Sequence, residues 1–247
     1  MRVALCISGQ PRSVALVYPT IYENIIAPNA ADVYIHSWID DNIKGKKPVA
    51  AGGHVGSDTI PHNIEEIILQ LYKPKNYIFE PQIEFDEKNY NERKLPSIRP
   101  KFSISQRYSI MKSIGMTEGF EYDAIIRMRF DWKIHDRINI QSLPLNTLTA
   151  PNDAPHLHRL SNGAVLRGVN DQFAIGNSHV MHTYGRMYHH IDEIYNADTF
   201  PFADEFMLSY YMQYMSGIPL NKIPINYTIV RRDNNDWTEH TGKEYIE

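Results

Sequence analysis

YDAIIRMRFDW, Tyr122 to Trp132, reads in two ways at once. Asp123 to Arg129 is short and crowded with apolar bulk at Ile125, Ile126 and Met128, which predicts a buried strand. The same run holds Arg127 and Arg129 two residues apart, with Asp131 two further on. Side chains alternate across a strand, so these three share one face and Ala124, Ile126, Met128 and Phe130 share the other. Guanidinium groups are costly to bury, and two on a central strand imply a purpose. Asp131 falls at or just beyond the strand's C-terminal end, where a carboxylate can hold a divalent cation through oxygen. The same residues also read as a structural ion-pair network of Asp123 and Asp131 with the two arginines.

Towards the N-terminus the strand signal recurs with helices between. Arg2 to Ser8 (RVALCIS) is a short apolar run ending at Gly9, and Asp32 to Ser37 and Lys75 to Phe79 are further strands. Val14 to Ile26 is expected to be a helix. Ile60, Ile64, Ile67, Ile68 and Leu71 form an amphipathic stripe, as do Ile104, Tyr108, Met111 and Ile114, with Ser103 or Ser105 as N-cap. Strand and helix alternating in this way predict an α/β fold: a mostly parallel sheet flanked by helices, Rossmann-like in its N-terminal half. Right-handed crossovers gather the strand C-termini on one edge, and ligands of open α/β sheets bind outside it. Asp40 to Thr59, with four glycines and three lysines, and Gln82 to Lys101 read as loops.

The second half is less regular. Strand-like residues surround Arg167–Asn170, Ser178 to Tyr195 reads as one helix, and Ile223 to Arg231 as a last strand. Ala203, Met207, Tyr210, Tyr211 and Tyr214 have helical spacing after Pro201. The polar tail from Arg232 reads as lying outside the packed fold. No linker divides the chain, which is read as one domain, 1–247, with a regular first half at 1–132 and a less regular second half at 133–247.

Composition removes several functions. The 25 basic and 29 acidic residues give a net charge of −4, so no global field favours nucleic acid or anionic lipid. The single cysteine, Cys6, excludes an internal disulfide framework, and its strand position reads as core filling. The eleven histidines show no HExxH spacing, and no G-x-S-x-G elbow occurs. No apolar run reaches the ~20 residues of a membrane span, and none reads as a signal segment. A soluble, cytoplasmic protein is expected.

Two further clusters carry chemistry. Ser8, Gly9 and Arg12 follow the first strand, where a phosphate-binding turn would lie: glycine admits close backbone approach and arginine offers a bidentate fork. Neither GK[ST] nor GxGxxG is present, and the cluster reads equally as a tight turn with a surface arginine. Asp204 and Glu205 open the helix after Pro201, where the helix dipole stabilises carboxylates. Glu205 or Asp204 is the candidate general base, with Glu205, which faces off the apolar stripe, favoured for reach and Asp204 for capping; Asp171 in NDQFAIG stands behind them.

The order SGQPRS (Ser8 to Ser13), DVYIHSW (Asp32 to Trp38), SQRYSIMKS (Ser105 to Ser113) and YDAIIRMRFDW resembles the small GT-A-type glycosyltransferases of bacterial surface-polysaccharide clusters and large DNA viruses. DQFAIG and PFADEFMLSYYM (Pro201 to Met212) resemble that family's acceptor-side elements, and INYTIVRR (Ile225 to Arg232) its closing strand. The resemblance covers nearly the whole chain. It implies a nucleotide diphosphate sugar donor and a glycan acceptor. It further implies a donor site drawing on Ser8, Gly9, Arg12, Gln106, Arg127 and Arg129, with Mn²⁺ or Mg²⁺ on Asp131. YDxxxRxRxD stands where the family's DxD metal motif lies, and here Arg129 replaces the first acid. The diphosphate can then be held by Arg12, Arg127 or Arg129 instead. A sugar nucleotidyltransferase of similar fold and a non-catalytic glycan- or nucleotide-binding module are the alternative readings. SGQPRS lacks the glycine-rich, lysine-bearing signature of the former.

Overall fold

Two of the expected strands lie side by side at the centre of the sheet. Val3–Gly9 (β1) pairs in parallel with Ala124–Met128 (β4), Cys6 opposite Arg127. On the other flank of β1 lie Asp32–Trp38 (β2) and then Asn76–Glu80 (β3), both parallel. The computed structural model describes residues 1–47, 59–90, 92–94, 99–154, 156–230 and 239–240. Residues 48–58 of the expected long loop, and most of the expected polar tail, lie outside the described residues.

Trp132–Ile134 (β5) follows β4, and Leu148–Pro151 (β6), the hairpin Leu157–Arg159 (β7) with Val165–Arg167 (β8), and Ala174–Gly176 (β9) come next. Leu220–Ile223 (β10), Tyr227–Ile229 (β11) and Glu239–His240 (β12) complete the strands. The main sheet has seven strands in the order β10-β6-β9-β4-β1-β2-β3. Only β9 runs against its neighbours, so the sheet is mostly parallel. The expectation that all strand C-termini share one edge therefore fails at β9. β5, β11 and β12 form a small antiparallel sheet.

Alternation sorts the strands into two cores. Ala4, Cys6, Tyr34 and Ile125 pack with Ile110 and Ile114 of the Pro100–Gly115 helix and Val180 and Tyr184 of the Ser178–Arg186 helix. Val3, Leu5, Ile7, Ile35, Ala124, Ile126 and Met128 pack on the opposite face with the Val14–Ile21 and Ile64–Tyr72 helices. Helices thus cover both faces, as a parallel sheet buried on both sides requires. No helix among the described residues is long and apolar enough to cross a membrane.

Several boundaries differ from expectation, each for a local reason. The third helix starts at Pro100, not near Ser103 or Ser105, because proline's fixed φ suits the first helical turn, with Arg99 as an extended N-cap. The helix from Val14 continues through a π-helical turn at Tyr22–Ile26, beyond Pro19, which lacks an N–H for the ladder. The helix expected over Ser178–Tyr195 is interrupted by a tight turn at Met187–His190 before Ile191–Ala197. The strand expected over Ile223–Arg231 is two strands in two sheets: β10 ends before Pro224, which cannot donate to a ladder. Around Arg167–Asn170, β8 stops at Arg167. Asn170 turns the chain by accepting from the main-chain N–H groups of Gln172 (2.8 Å) and Phe173 (3.2 Å). The last helix runs Asp204–Tyr210, with a π-helical turn to Met215, and Tyr214 of the expected buried stripe is exposed.

β9 and the helix after it approach closely. Asn177 caps that helix, its side chain accepting from Val180 N at 2.9 Å. A Cβ on Gly176 would lie 2.5 Å from Val180 Cγ1 and 3.2 Å from the Thr147 carbonyl. Gly176→Ala is expected to destabilise the fold by about 1–3 kcal/mol in urea denaturation. Adding Val180→Ala should return less than the full loss, because it removes core packing as it relieves the clash. An unchanged denaturation midpoint in Gly176→Ala would show the approach to be looser than described.

Candidate functional site

In the order β4-β1-β2-β3 the chain winds outward from β1 in one direction and then returns to its other side. β1 and β4 therefore flank a topological switch point, and a crevice opens beyond their C-terminal ends. A cleft of about 280 Å³ occupies it. Ser8, Gly9, Gln10 and Arg12 enter from the end of β1, Trp38 from β2, Gln82 to Phe85 from beyond β3, Arg127 from β4, and Arg129 and Asp131 from just past its end. The first turns of the Pro100–Gly115 helix supply Lys101, Phe102, Ser105 and Gln106. Gly9 has φ +115°, a conformation that favours glycine and lets the chain turn sharply under the cleft.

The floor is basic. Arg127 is 1% exposed; its Nε donates to Ser8 Oγ at 3.3 Å and its Nη1 to the Asp171 carbonyl. No carboxylate of the described residues lies within salt-bridge distance of it, and burial lowers its pKa despite the pull of Tyr184 and Asp171. Arg129 Nη2 donates to Asp131 Oδ2 at 2.5 Å, and Arg12 Nη1 stands 3.7 Å from the same oxygen. Arg12 is also held by Gln10 Oε1 at 2.6 Å.

One wall is aromatic. Trp38 stacks on Tyr108, ring centres 5.4 Å apart, with Phe85 set edge-on beside it. His36 locks this wall. Its Nε2 lies 2.8 Å from Glu80 and its Nδ1 2.7 Å from Ser109 Oγ. A carboxylate only accepts, so Nε2 carries the proton and Nδ1 accepts from the serine. Burial holds His36 below its ordinary pKa, in the neutral form this arrangement needs.

Behind the floor lie the three candidate acids, gathered around buried Arg107. Arg107 Nε donates to Asp204 Oδ1 at 2.8 Å, and its Nη1 to Tyr184 Oη at 3.4 Å. Burial opposes its charge, but Asp204, Tyr184 and Asp171 together push its pKa up. Gln106 Nε2 donates to Asp171 Oδ2 at 2.5 Å. Donors from Arg127, Gln106 and Tyr184 converge on the Asp171 carbonyl. Glu205 packs against Gly168, whose Cβ position would be 3.3 Å from its own Cβ.

The seven candidates Ser8, Gly9, Arg12, Gln106, Arg127, Arg129 and Asp131 thus share one cleft, and Asp171, Asp204 and Glu205 stand behind it. Two roles need correcting. Asp204 does not cap its helix: Ala203 is the N-cap, no side chain caps the turn, and Asp204 is bound by Arg107. Glu205 is not held ionised by the helix dipole. Burial, then the charge of Asp171, raises its pKa to about 8, and these outweigh the free N–H groups of the first turn. Arg107, His36 and the aromatic wall escaped sequence reasoning. Arg107 lies inside SQRYS, and a helical arginine among serines on an otherwise apolar stripe was the available signal.

No protein-family model matches the chain, and no curated protein sequence matches it. Among solved structures the chain is similar to the crystal structure of mouse xyloside xylosyltransferase 1 in its apo form. The TM-score is 0.46 and the identity 9%, over 90% of this chain and 84% of that one.

The raised pKa of Glu205 has a sign in stability. Between its ordinary value of 4.5 and about 8 the folded state holds a proton that the unfolded state releases. Stability therefore falls as pH rises through that window and is full below it. Glu205→Gln mimics the protonated form, so its melting temperature relative to wild type is expected to climb between pH 5 and pH 9. One pKa unit is worth about 1.4 kcal/mol, and a gain above ~1 kcal/mol at pH 9 is expected. Melting curves for the two proteins that keep a constant separation across this range would refute the assignment.

Proposed function

We propose that the chain is a GT-A-type glycosyltransferase that moves a sugar from a nucleotide diphosphate sugar to a hydroxyl of a glycan. The observation that carries this reading is Arg127. Among the described residues it is a buried guanidinium without a carboxylate at salt-bridge distance, set at the switch point of the sheet beside Arg129 and Arg12. A buried cation left without a counter-charge is expensive, and an anionic ligand in the cleft would supply that charge. The order of motifs along the chain supports the same reading.

In the transfer the bond from the anomeric carbon to the terminal phosphate oxygen breaks, and its electron pair stays on that oxygen. Arg12, Arg127 and Arg129 stabilise the charge that develops there. The acceptor oxygen forms the new bond to the anomeric carbon, and its proton passes to a base. Glu205 is proposed as that base, with Asp171 as the second choice. A carboxylate whose pKa is near 8 is a stronger base than an ordinary glutamate, though most of it is protonated at neutral pH.

Incubation with a panel of nucleotide sugars, scored for released nucleotide, is expected to single out one donor that is slowly hydrolysed. With that donor and a glycan acceptor, kcat/KM should rise with pH towards a plateau above about 8, where buried Glu205 loses its proton. Glu205→Gln should keep donor binding and lose at least ~100-fold in transfer rate. A flat pH profile, or transfer by Glu205→Gln at the wild-type rate, would remove Glu205 from this role. Failure of every nucleotide sugar to bind would overturn the transferase reading.

A further inference from the structure

Divalent magnesium or manganese needs several oxygen ligands, which one or two protein carboxylates supply together with substrate phosphates and water. Here the end of β4 offers Asp131 alone, since Arg129 stands two residues before it. Asp131 Oδ2 is engaged by Arg129 at 2.5 Å and faces Arg12 at 3.7 Å. A cation on that oxygen would sit against two guanidinium groups. Among the described residues no group of three or more His, Cys, Asp and Glu side chains is placed to hold a metal. The donor set does not fit Mn²⁺ or Mg²⁺.

The charge of the cleft fits an anion instead. Arg12, Lys101, Arg127 and Arg129 face Glu84 and Asp131, a formal excess of two positive charges. The diphosphate of a nucleotide sugar carries one negative charge on each phosphate, which this excess balances. A divalent ion would add to the excess. Arginine also offers two parallel donors to phosphate oxygens, and the forks of Arg12 and Arg129 are already oriented through their shared contact with Asp131.

Resting on the glycosyl transfer proposed above, we infer that the donor diphosphate is bound and its leaving charge neutralised by Arg12, Arg127 and Arg129 without a divalent cation. Asp131 is then a positioning residue that orients Arg129 and Arg12, and it does not ligate a metal. During transfer the electron pair left on the terminal phosphate oxygen is met by guanidinium N–H groups, and no metal–oxygen bond forms or breaks.

Calorimetric titration of UDP and GDP into the full chain, in separate buffers with EDTA, with Mn²⁺ and with Mg²⁺, tests this directly. At least one of the two nucleotides is expected to bind with the same affinity, within ~3-fold, in all three buffers. Arg129→Gln, checked for folding by its melting curve, should weaken that binding by at least ~10-fold in every buffer, as loss of a charge-assisted contact does. Asp131→Asn should bind more weakly than wild type, and its response to Mn²⁺ should match the wild type's. Binding that appears only with metal, and is lost in Asp131→Asn, would overturn the inference while leaving the donor reading intact. Absence of binding by either nucleotide in every buffer, together with no hydrolysis of any nucleotide sugar, would overturn the donor reading itself.

Discussion

Arg127 sits where the hydrophobic sheet has to admit a charge. Its neighbours on β4, Ile125 and Ile126, are sealed into the two cores, and Cys6 on β1 lies directly opposite it. A guanidinium at that depth keeps its charge only if its donors are met, and the chain meets two of them from distant places. Ser8 is 119 residues away in sequence and supplies a hydroxyl; Asp171 is 44 residues away and supplies a carbonyl. The first of these contacts ties β4 to β1. The second ties the central sheet to the turn before β9, and so to the second half of the chain. What is left of the guanidinium's demand faces the cleft.

The same logic repeats one layer back with Arg107. Here the counter-charge is internal, because Asp204 lies 2.8 Å from its Nε. Asp204 is paired, but burial, the charge of Asp171 and, less, that of Asp204 itself fall on Glu205, which responds by holding its proton. Tyr184 and Gln106 connect the two layers through Asp171. One buried cation is thus satisfied within the protein and the other opens towards a ligand. Two acids in the same first helical turn therefore take different parts: one is a structural counter-ion, the other a carboxyl whose protonation changes near neutrality.

Much of the fold was legible because local signals agreed with one another. Short apolar runs at Val3–Ile7 and Ala124–Met128, with helical stripes between, leave few architectures other than a mostly parallel sheet covered on both faces. The boundaries that were misplaced lie where one residue overrides the pattern. Pro100 starts a helix early, Pro224 cuts a strand in two, and Asn170 folds a turn. The short strands β5, β6 and β7 carry too few residues for periodicity to register; each is defined by its pairing with an equally short neighbour. The reversal of β9 cannot be read from AIG at all, since strand direction is a property of how the chain arrives.

By itself the sequence determined which side chains share a face of β4 and which follow the first strand, because two-residue alternation and a glycine turn are local consequences of backbone geometry. That was enough to nominate Arg127, Arg129, Asp131, Ser8, Gly9 and Arg12. Only the tertiary structure decided that these six border one cleft, that no carboxylate of the described residues pairs with Arg127, and that Arg107 claims Asp204. The charge state of Glu205 belongs with them. The helix dipole argued for an ionised acid from position alone, but desolvation by elements far away in sequence is the larger effect. Burial and pairwise charge depend on every segment packed around a group, and no window of sequence contains them.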